Sequence, residues 1–259
     1  MKLLTIASYG GGTNSTAMLI ECAKRGIELD LILFADTGGE KPHTYNYVKL
    51  LNDWLIDNHM PEIVTVKKGG RQETLEESLL RLNVLPSVAY GYKTCSQKFK
   101  IQPQLKYVNN WPPAREAWKN GDKITRLVGY DADEAHRADA TIPDDQKKKY
   151  VNWYPLIDWD MGRDECIETI AGAGLCLPGK SSCYFCPNTK PSEIKQLNAV
   201  YPELMERALH MEANSELTHI KGLGRNFAWK DVIATDDMFL DEFSHTPEML
   251  CGCYDGGDA

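Results

Sequence analysis

Apolar and polar positions along the first two thirds of the chain switch between two periods. Residues 3–8, LLTIAS, form a short apolar run that stops at glycines, and residues 14–25, NSTAMLIECAKR, follow with helical spacing until Gly26 closes the turn. The unit then repeats. DLILFAD at 30–36 reads as a buried strand, TYNYVKLLNDWLIDNH at 44–59 as a helix and EIVTVKK at 62–68 as a third strand. Further on, LEESLLRLN at 75–83 reads as a helix, KITRLVGY at 123–130 as a strand and VNWYPLIDW at 151–159 as the last strand. Strands alternating with helices predict an α/β fold, a parallel twisted sheet with helices on both faces.

After residue 160 the pattern turns helical, with RDECIETIAGAGL, a cysteine-rich turn and a long helix expected from Pro191 to about Asn214. The chain therefore divides into an α/β domain over 1–160 and a helical, cysteine-containing C-terminal region over 161–259. The stretch ADATIPDDQKKKY at 138–150 has no apolar period and dense charge, so it reads as an exposed loop with Lys147–Lys149 solvated. No internal repeat is visible.

Composition narrows the function classes. The net charge of −8, from 29 basic and 37 acidic residues, excludes attraction of a nucleic-acid backbone by bulk field and leaves only a local basic patch for that role. No stretch reads as a signal peptide or as an apolar run of membrane-spanning length, so a cytoplasmic protein without a membrane partner is expected. In that compartment eight cysteines point to metal binding or thiol chemistry rather than disulfides. Cys22 and Cys166, on expected helices, read as small core hydrophobes.

The candidate chemistry begins where the first strand ends, at Gly10-Gly11-Gly12-Thr13-Asn14-Ser15-Thr16. Glycines there let backbone N–H groups approach a phosphate, the following helix N-terminus adds a favourable dipole, and the hydroxyls of Thr13, Ser15 and Thr16 add donors. Gly10-x-Gly12 with Asp36 at the end of strand two imitates a dinucleotide fingerprint, but Ser15 stands where its third glycine is needed. A Walker loop is excluded because no Gly-Lys-Ser/Thr follows.

These residues resemble the PP-loop of the ATP pyrophosphatase superfamily, Ser-Gly-Gly-x-Asp-Ser, and in particular its phosphoadenosine phosphosulfate reductase-like branch. Gly10 replaces the first Ser and Asn14 replaces the Asp. The likeness continues in order through Phe34-Ala35-Asp36-Thr37-Gly38, through Lys93-Thr94-Cys95-Ser96-Gln97-Lys98 with Lys100 and Pro103, and through Gly129-Tyr130-Asp131-Ala132-Asp133-Glu134-Ala135-His136-Arg137. The last is similar to Gly-x-Arg-x-x-Glu-Ser-x-x-Arg, and Tyr154-Pro155-Leu156-Ile157-Asp158-Trp159 to Pro-Leu-x-x-Trp. The resemblance implies adenine-nucleotide (ATP) contacts from Ser8, the Gly10–Thr16 loop, Asp36, Thr37 and Gly129. Because phosphoryl chemistry is mostly positioning and charge neutralisation, Lys98, Lys100, Arg126, Arg225 and above all Arg137 are the cations expected near phosphates, in catalytic or charge-neutralising roles. Asp133 and Glu134 are open between holding Mg²⁺ and orienting Arg137. His136 reads as exposed, and Lys221-Gly222-Leu223-Gly224-Arg225-Asn226 with Trp229 as a candidate substrate loop.

Cys183-Tyr184-Phe185-Cys186 is a Cys-x-x-Cys pair with Cys176 seven residues upstream, spacing that lets several sulfurs converge on one ion or cluster. Resemblance to DNA phosphorothioation ATPases implies Cys95 as the fourth ligand of a [4Fe–4S] cluster, with zinc on the same thiolates as the alternative. Cys251-Gly252-Cys253 differs from the Glu-Cys-Gly-Leu-His setting of the attacking thiol in sulfonucleotide reductases. The expected function is an ATP-using enzyme that cleaves between the α- and β-phosphates, adenylates an acceptor (a nucleic acid or a sulfur carrier) and transfers sulfur with the help of the cluster. Two other functions stay open: a sulfonucleotide reductase attacking through Cys251 or Cys253, and a catalytically inactive nucleotide-binding module, motivated by Asn14.

Overall fold

The computed structural model describes residues 3–69, 73–138 and 144–235. Cys251 and Cys253 lie outside the described residues, as does part of the 138–150 stretch.

In chain order the elements are β1 (Thr5–Tyr9), α1 (Thr13–Lys24), β2 (Leu31–Asp36), α2 (Pro42–Asp57), β3 (Ile63–Lys67) and α3 (Leu75–Leu82). A short helix α4 (Thr94–Ser96) runs through a π turn, Gln97–Ile101, into α5 (Gln102–Asn110), followed by α6 (Pro112–Lys119), β4 (Ile124–Val128), a 3₁₀ segment Ala132–Arg137 and α7 (Asp144–Lys147). Then come β5 (Tyr150–Trp153), α8 (Pro155–Asp158), α9 (Arg163–Gly172), α10 (Pro191–Val200), α11 (Pro202–Asn214) and α12 (Trp229–Ala234).

The strands form one five-stranded parallel sheet in the order β3-β2-β1-β4-β5. Alternation along each strand sends successive side chains to opposite faces. Ala7, Tyr9, Ile32, Phe34 and Leu127 meet Leu19 of α1, Leu51 of α2, Leu156 of α8 and Ile170 of α9. On the other face Ile6, Leu31, Leu33, Ala35 and Ile124 meet Val108 of α5 and Ala114 of α6. β2 is buried at all six positions, as a strand covered on both faces must be.

Two expected elements break at prolines. The run VNWYPLIDW is a strand only to Trp153; Pro155 then opens α8, because its fixed φ and missing N–H suit a first helical turn and not a ladder. The helix expected from Pro191 to Asn214 is two helices, since Pro202 has no N–H to continue α10, and Tyr201 between them leaves the helical region at φ −135°.

The chain also folds into two compact units whose bounds differ from a single division at residue 160. The first comprises the described residues up to Ala35, Pro42–Val66 and Pro103–Ser181; the second comprises Asp36–Lys41, Lys67–Gln102 and the described residues from Ser182. The second unit has its own core, in which Leu75 and Leu79 of α3 join Phe99, Tyr184, Phe185, Leu197, Met205 and Trp229. Helix α3 is held at its start by a capping box between Thr74 and Glu77.

Neighbouring leucines of α2 separate burial from helix propensity, since Leu51 is fully buried and Leu50 is 41% exposed. Leu51→Ala is expected to destabilise the protein by about 2–5 kcal/mol and Leu50→Ala by less than about 1 kcal/mol, read as shifts of the urea unfolding midpoint.

Candidate functional site

The strand order reverses direction between β1 and β4, and in open parallel sheets the crevice beyond the carboxyl ends of such strands is where ligands bind. From the end of β1 the chain turns through Gly10–Gly12 into α1. Gly11 has φ +78°, and a Cβ there would lie 3.1 Å from Cγ2 of Thr44 and 3.4 Å from Cβ of Ser181. At Gly12 it would lie 2.9 Å from Oγ of Ser181. Gly11 is therefore required by conformation and Gly12 by space.

Ser15 and Thr16 brace this loop from inside. The Ser15 hydroxyl accepts the Gly10 N–H at 3.2 Å and donates to the Gly12 carbonyl at 3.1 Å, while Thr16 Oγ1 donates to the same carbonyl at 2.9 Å. Ser8 Oγ, just before the loop, donates to Gln104 Oε1 at 2.8 Å. What the loop offers an anion is then chiefly the backbone N–H groups at the start of α1, which have no intrahelical partner, and the positive end of a 12-residue helix with no acidic residue in its first turn.

The end of β4 presses against that first turn. A Cβ at Gly129 would stand 2.8 Å from Cα and 3.0 Å from N of Ser15. This contact brings Asp131 and Glu134 to Asn14, whose Nδ2 donates to Asp131 Oδ2 at 2.7 Å and to Glu134 Oε2 at 3.1 Å. On its other side Asn14 Oδ1 accepts from Arg163 Nη1 at 3.0 Å. Asp131 is 1% exposed and Glu134 4%. Burial pushes the Asp131 carboxyl above its ordinary value, reinforced by Asp133, and burial likewise raises Glu134 against the opposing pull of Arg137.

Glu134 also pairs with Arg137 Nη1, and the Arg137 guanidinium lies 4.2 Å over the ring of Tyr130, which stacks on Tyr154 at 5.6 Å. Asp133 is exposed and accepts the Arg163 N–H at 3.0 Å, capping the start of α9. Of the two roles open for Glu134, its geometry matches orientation of Arg137. His136 is exposed, as expected. Arg126 is half-buried, bonded through Nε to Asn152 Oδ1 at 2.9 Å and 5.0 Å over Tyr150; burial lowers its pKa without threatening its charge.

In the second unit Asp36 accepts the Gly38 N–H at 2.8 Å and pairs with Lys67 at 3.1 Å. Thr37 Oγ1 lies 3.3 Å from Cys183 Sγ and accepts the Gly39 N–H at 3.2 Å. Glu40, buried, pairs with Lys100 at 3.2 Å, and Lys98 is exposed. Arg225 donates from Nε to the Val88 carbonyl at 2.9 Å. The Lys221–Asn226 loop is organised by Glu212, which accepts the N–H groups of Leu223 at 2.7 Å and Trp229 at 3.0 Å.

Cys95, Cys183 and Cys186 belong to this second unit, while Cys176 is exposed and belongs to the first. The Cys186 N–H donates to the Cys183 carbonyl at 3.0 Å, closing the Cys-x-x-Cys turn, and the Cys95 N–H donates to Ser87 Oγ at 3.0 Å. Burial, and then the charge of Glu40, push the Cys183 thiol up. Among the described residues no group of three or more His, Cys, Asp or Glu side chains is gathered as a metal ion requires. Cys22 and Cys166 are fully buried in the first unit's core, with thiols pushed up to about 12.

Three participants escaped the sequence. Asp131 stood inside a motif already quoted, but at the position where the pattern carries Arg. Arg163 and Ser181 had no motif; only their places, at the first turn of α9 and after Gly179-Lys180, signal a role.

A family model for the phosphoadenosine phosphosulfate reductase domain matches residues 5–163. No curated protein matches the sequence. Among solved structures the chain is similar to phosphoadenylyl-sulfate (PAPS) reductase from Candida auris, in its phosphate complex, at 16% identity and TM-score 0.44 over 69% of this chain and 76% of that one. It is also similar to the U34-tRNA thiolase NcsA from Methanococcus maripaludis with its [4Fe-4S] cluster, at 12% identity and TM-score 0.45 over 88% of this chain and 77% of that one. The family match takes in the sheet, the glycine loop and the Asn14 network up to Arg163, well over half of the chain, which thus belongs to the phosphoadenosine phosphosulfate reductase domain family and is an enzyme of that PP-loop type.

Proposed function

We propose that the protein binds ATP with its phosphates on the Gly10–Gly12 loop and the start of α1, cleaves between the α- and β-phosphates and adenylates an acceptor for sulfur transfer. The observation that carries this reading is the loop itself, whose glycines at the switch point aim into the crevice a helix N-terminus with no acidic residue in its own first turn. Phosphate transfer asks a protein mainly for positioning and charge neutralisation. The loop amides supply the first. Arg137, fixed between Glu134 and Tyr130, supplies the second as charge develops on the phosphate being attacked. Mg²⁺ arrives on the nucleotide's own phosphates. No step of the reaction is routed through an iron–sulfur cluster. The acceptor, a nucleic acid or a sulfur carrier, is not attracted by the chain's bulk charge of −8 and must be held locally.

A second reading, reduction of a sulfonucleotide, is favoured by the family match itself. Its attacking thiol would come from Cys251 or Cys253. The two readings part on products: pyrophosphate released from ATP supports the first, and sulfite released from phosphoadenosine phosphosulfate, lost when both cysteines are serine, supports the second. If neither nucleotide binds in titration calorimetry, both fall.

Gly129→Ala, which drives a methyl into the Ser15 backbone, is expected to weaken ATP binding by about tenfold or more, read by the same calorimetry. Arg137→Ala is expected to lower kcat by about 10²-fold with a smaller change in ATP affinity, because its charge is needed most in the transition state.

Thiol reactivity separates the cysteines. At pH 8 an alkylating reagent followed by mass spectrometry should modify exposed Cys176 before Cys22 and Cys166, which react only after unfolding, since burial pushes their thiols up to about 12. Joint protection of Cys95, Cys176, Cys183 and Cys186 after anaerobic reconstitution with iron and sulfide would instead show that a cluster assembles them.

A further inference from the structure

The loop position that carries Asp in the PP-loop pattern is Asn14 here, and the motif position that carries Arg is Asp131. Each change alone would damage a site built on charge. Together they form one bonded unit, because the Asn14 carboxamide uses both of its N–H groups on carboxylates, Asp131 at 2.7 Å and Glu134 at 3.1 Å, and its oxygen on Arg163 at 3.0 Å. An amide is the only common side chain of this size that can donate twice and accept once at a single point. A carboxylate at position 14 would bring a third negative group against two that are already buried, with no proton to bond them.

We propose that Asn14 and Arg163 are positioning residues that lock the first turn of α1 to the Asp131–Arg137 segment, and that the neutrality of Asn14 is a requirement of this site and not a loss of catalysis. The chain of contacts runs from Arg163 at the start of α9, through Asn14 in the first turn of α1, to Glu134, and from Glu134 to Arg137. Arg163 is fixed at its other end, because its N–H donates to Asp133 Oδ2 at 3.0 Å. Asp131 is fixed as well, since its Oδ1 accepts the Glu134 N–H at 3.0 Å. Every member except Asn14 is thus anchored elsewhere, and Asn14 is what ties them to the nucleotide loop. None of these groups needs to touch the reacting atoms; they set where the loop amides and the Arg137 guanidinium stand.

The inference rests on the nucleotide-binding reading for one of its two readouts. Four proteins are compared, wild type, Asn14→Asp, Asp131→Asn and the double variant Asn14→Asp/Asp131→Asn, by ATP titration calorimetry and by thermal unfolding. Restoring the usual Asp is expected to weaken ATP binding by about tenfold or more and to lower the melting temperature. The double variant, in which the new carboxylate at position 14 again meets one amide and Arg163 but still faces Glu134, is expected to regain part of the affinity and of the melting temperature that Asn14→Asp loses. Recovery in the double variant separates a specific link from mere intolerance of substitution at either position. Asn14→Asp binding ATP as tightly as wild type or more tightly would overturn the proposal, as would a double variant no better than the worse single one. Should wild type bind no adenine nucleotide, the nucleotide reading fails, and the melting temperatures decide the link on their own by the same pattern of loss and recovery.

Discussion

The crevice at the sheet's switch point depends on how closely β4 passes under the first turn of α1. At Gly129 there is no room for a Cβ, because the Ser15 backbone occupies it, and this distance sets everything that follows on both sides. On the α1 side it fixes a helix end whose serine and threonine are engaged with the loop carbonyl of Gly12. On the β4 side it delivers the segment from Asp131 to Arg137 to the Asn14 carboxamide. A loop that must hold a polyanion gains from such support, since amides that are fixed before the ligand arrives need no reorganisation when it does.

The fold was legible because burial on both faces of a parallel sheet leaves apolar runs that few other structures produce. β2, LILFAD, is an example: six buried positions in a row, bounded by a helix signal on either side. The proline breaks at Pro155 and Pro202 were equally present in the sequence, and period alone hid them; a helical spacing can continue across a residue that cannot donate the bond. The division into units was not legible at all. The second unit draws on six residues from the last of β2 onward, Asp36–Lys41, on Lys67–Gln102 and on the described residues from Ser182, and no composition shift marks such brief departures from the sheet.

The site was legible where chemistry depends on backbone shape and obscure where it depends on side-chain partnership. Glycines at 10–12 declare a close approach whatever surrounds them. Asn14, in contrast, looks like a weakened Asp until Asp131 and Arg163 are placed around it, at 117 and 149 residues' separation in sequence. The cysteines show the opposite risk. Their spacing lets several sulfurs converge, yet it carries no information on the pairing of Cys183 with Thr37 or on the buried Glu40 that opposes its ionisation.

A helix N-terminus carries only about half a unit of positive charge, so the sign of its surroundings decides whether it attracts a phosphate. Two buried carboxylates, Asp131 and Glu134, stand beside the first turn of α1 and would by themselves reverse that sign. Two guanidiniums offset them: Arg137 on Glu134, and Arg163 reaching the same carboxylates through the Asn14 carboxamide. With a neutral residue at position 14 no further negative charge is added beside the helix end; a carboxylate there would set one more against Asp131 and Glu134. Relative to the pattern, Asn for Asp in the loop removes one negative charge and Asp for Arg in the motif shifts the site by two units the other way, so a neutral residue at position 14 limits the excess to a single negative charge.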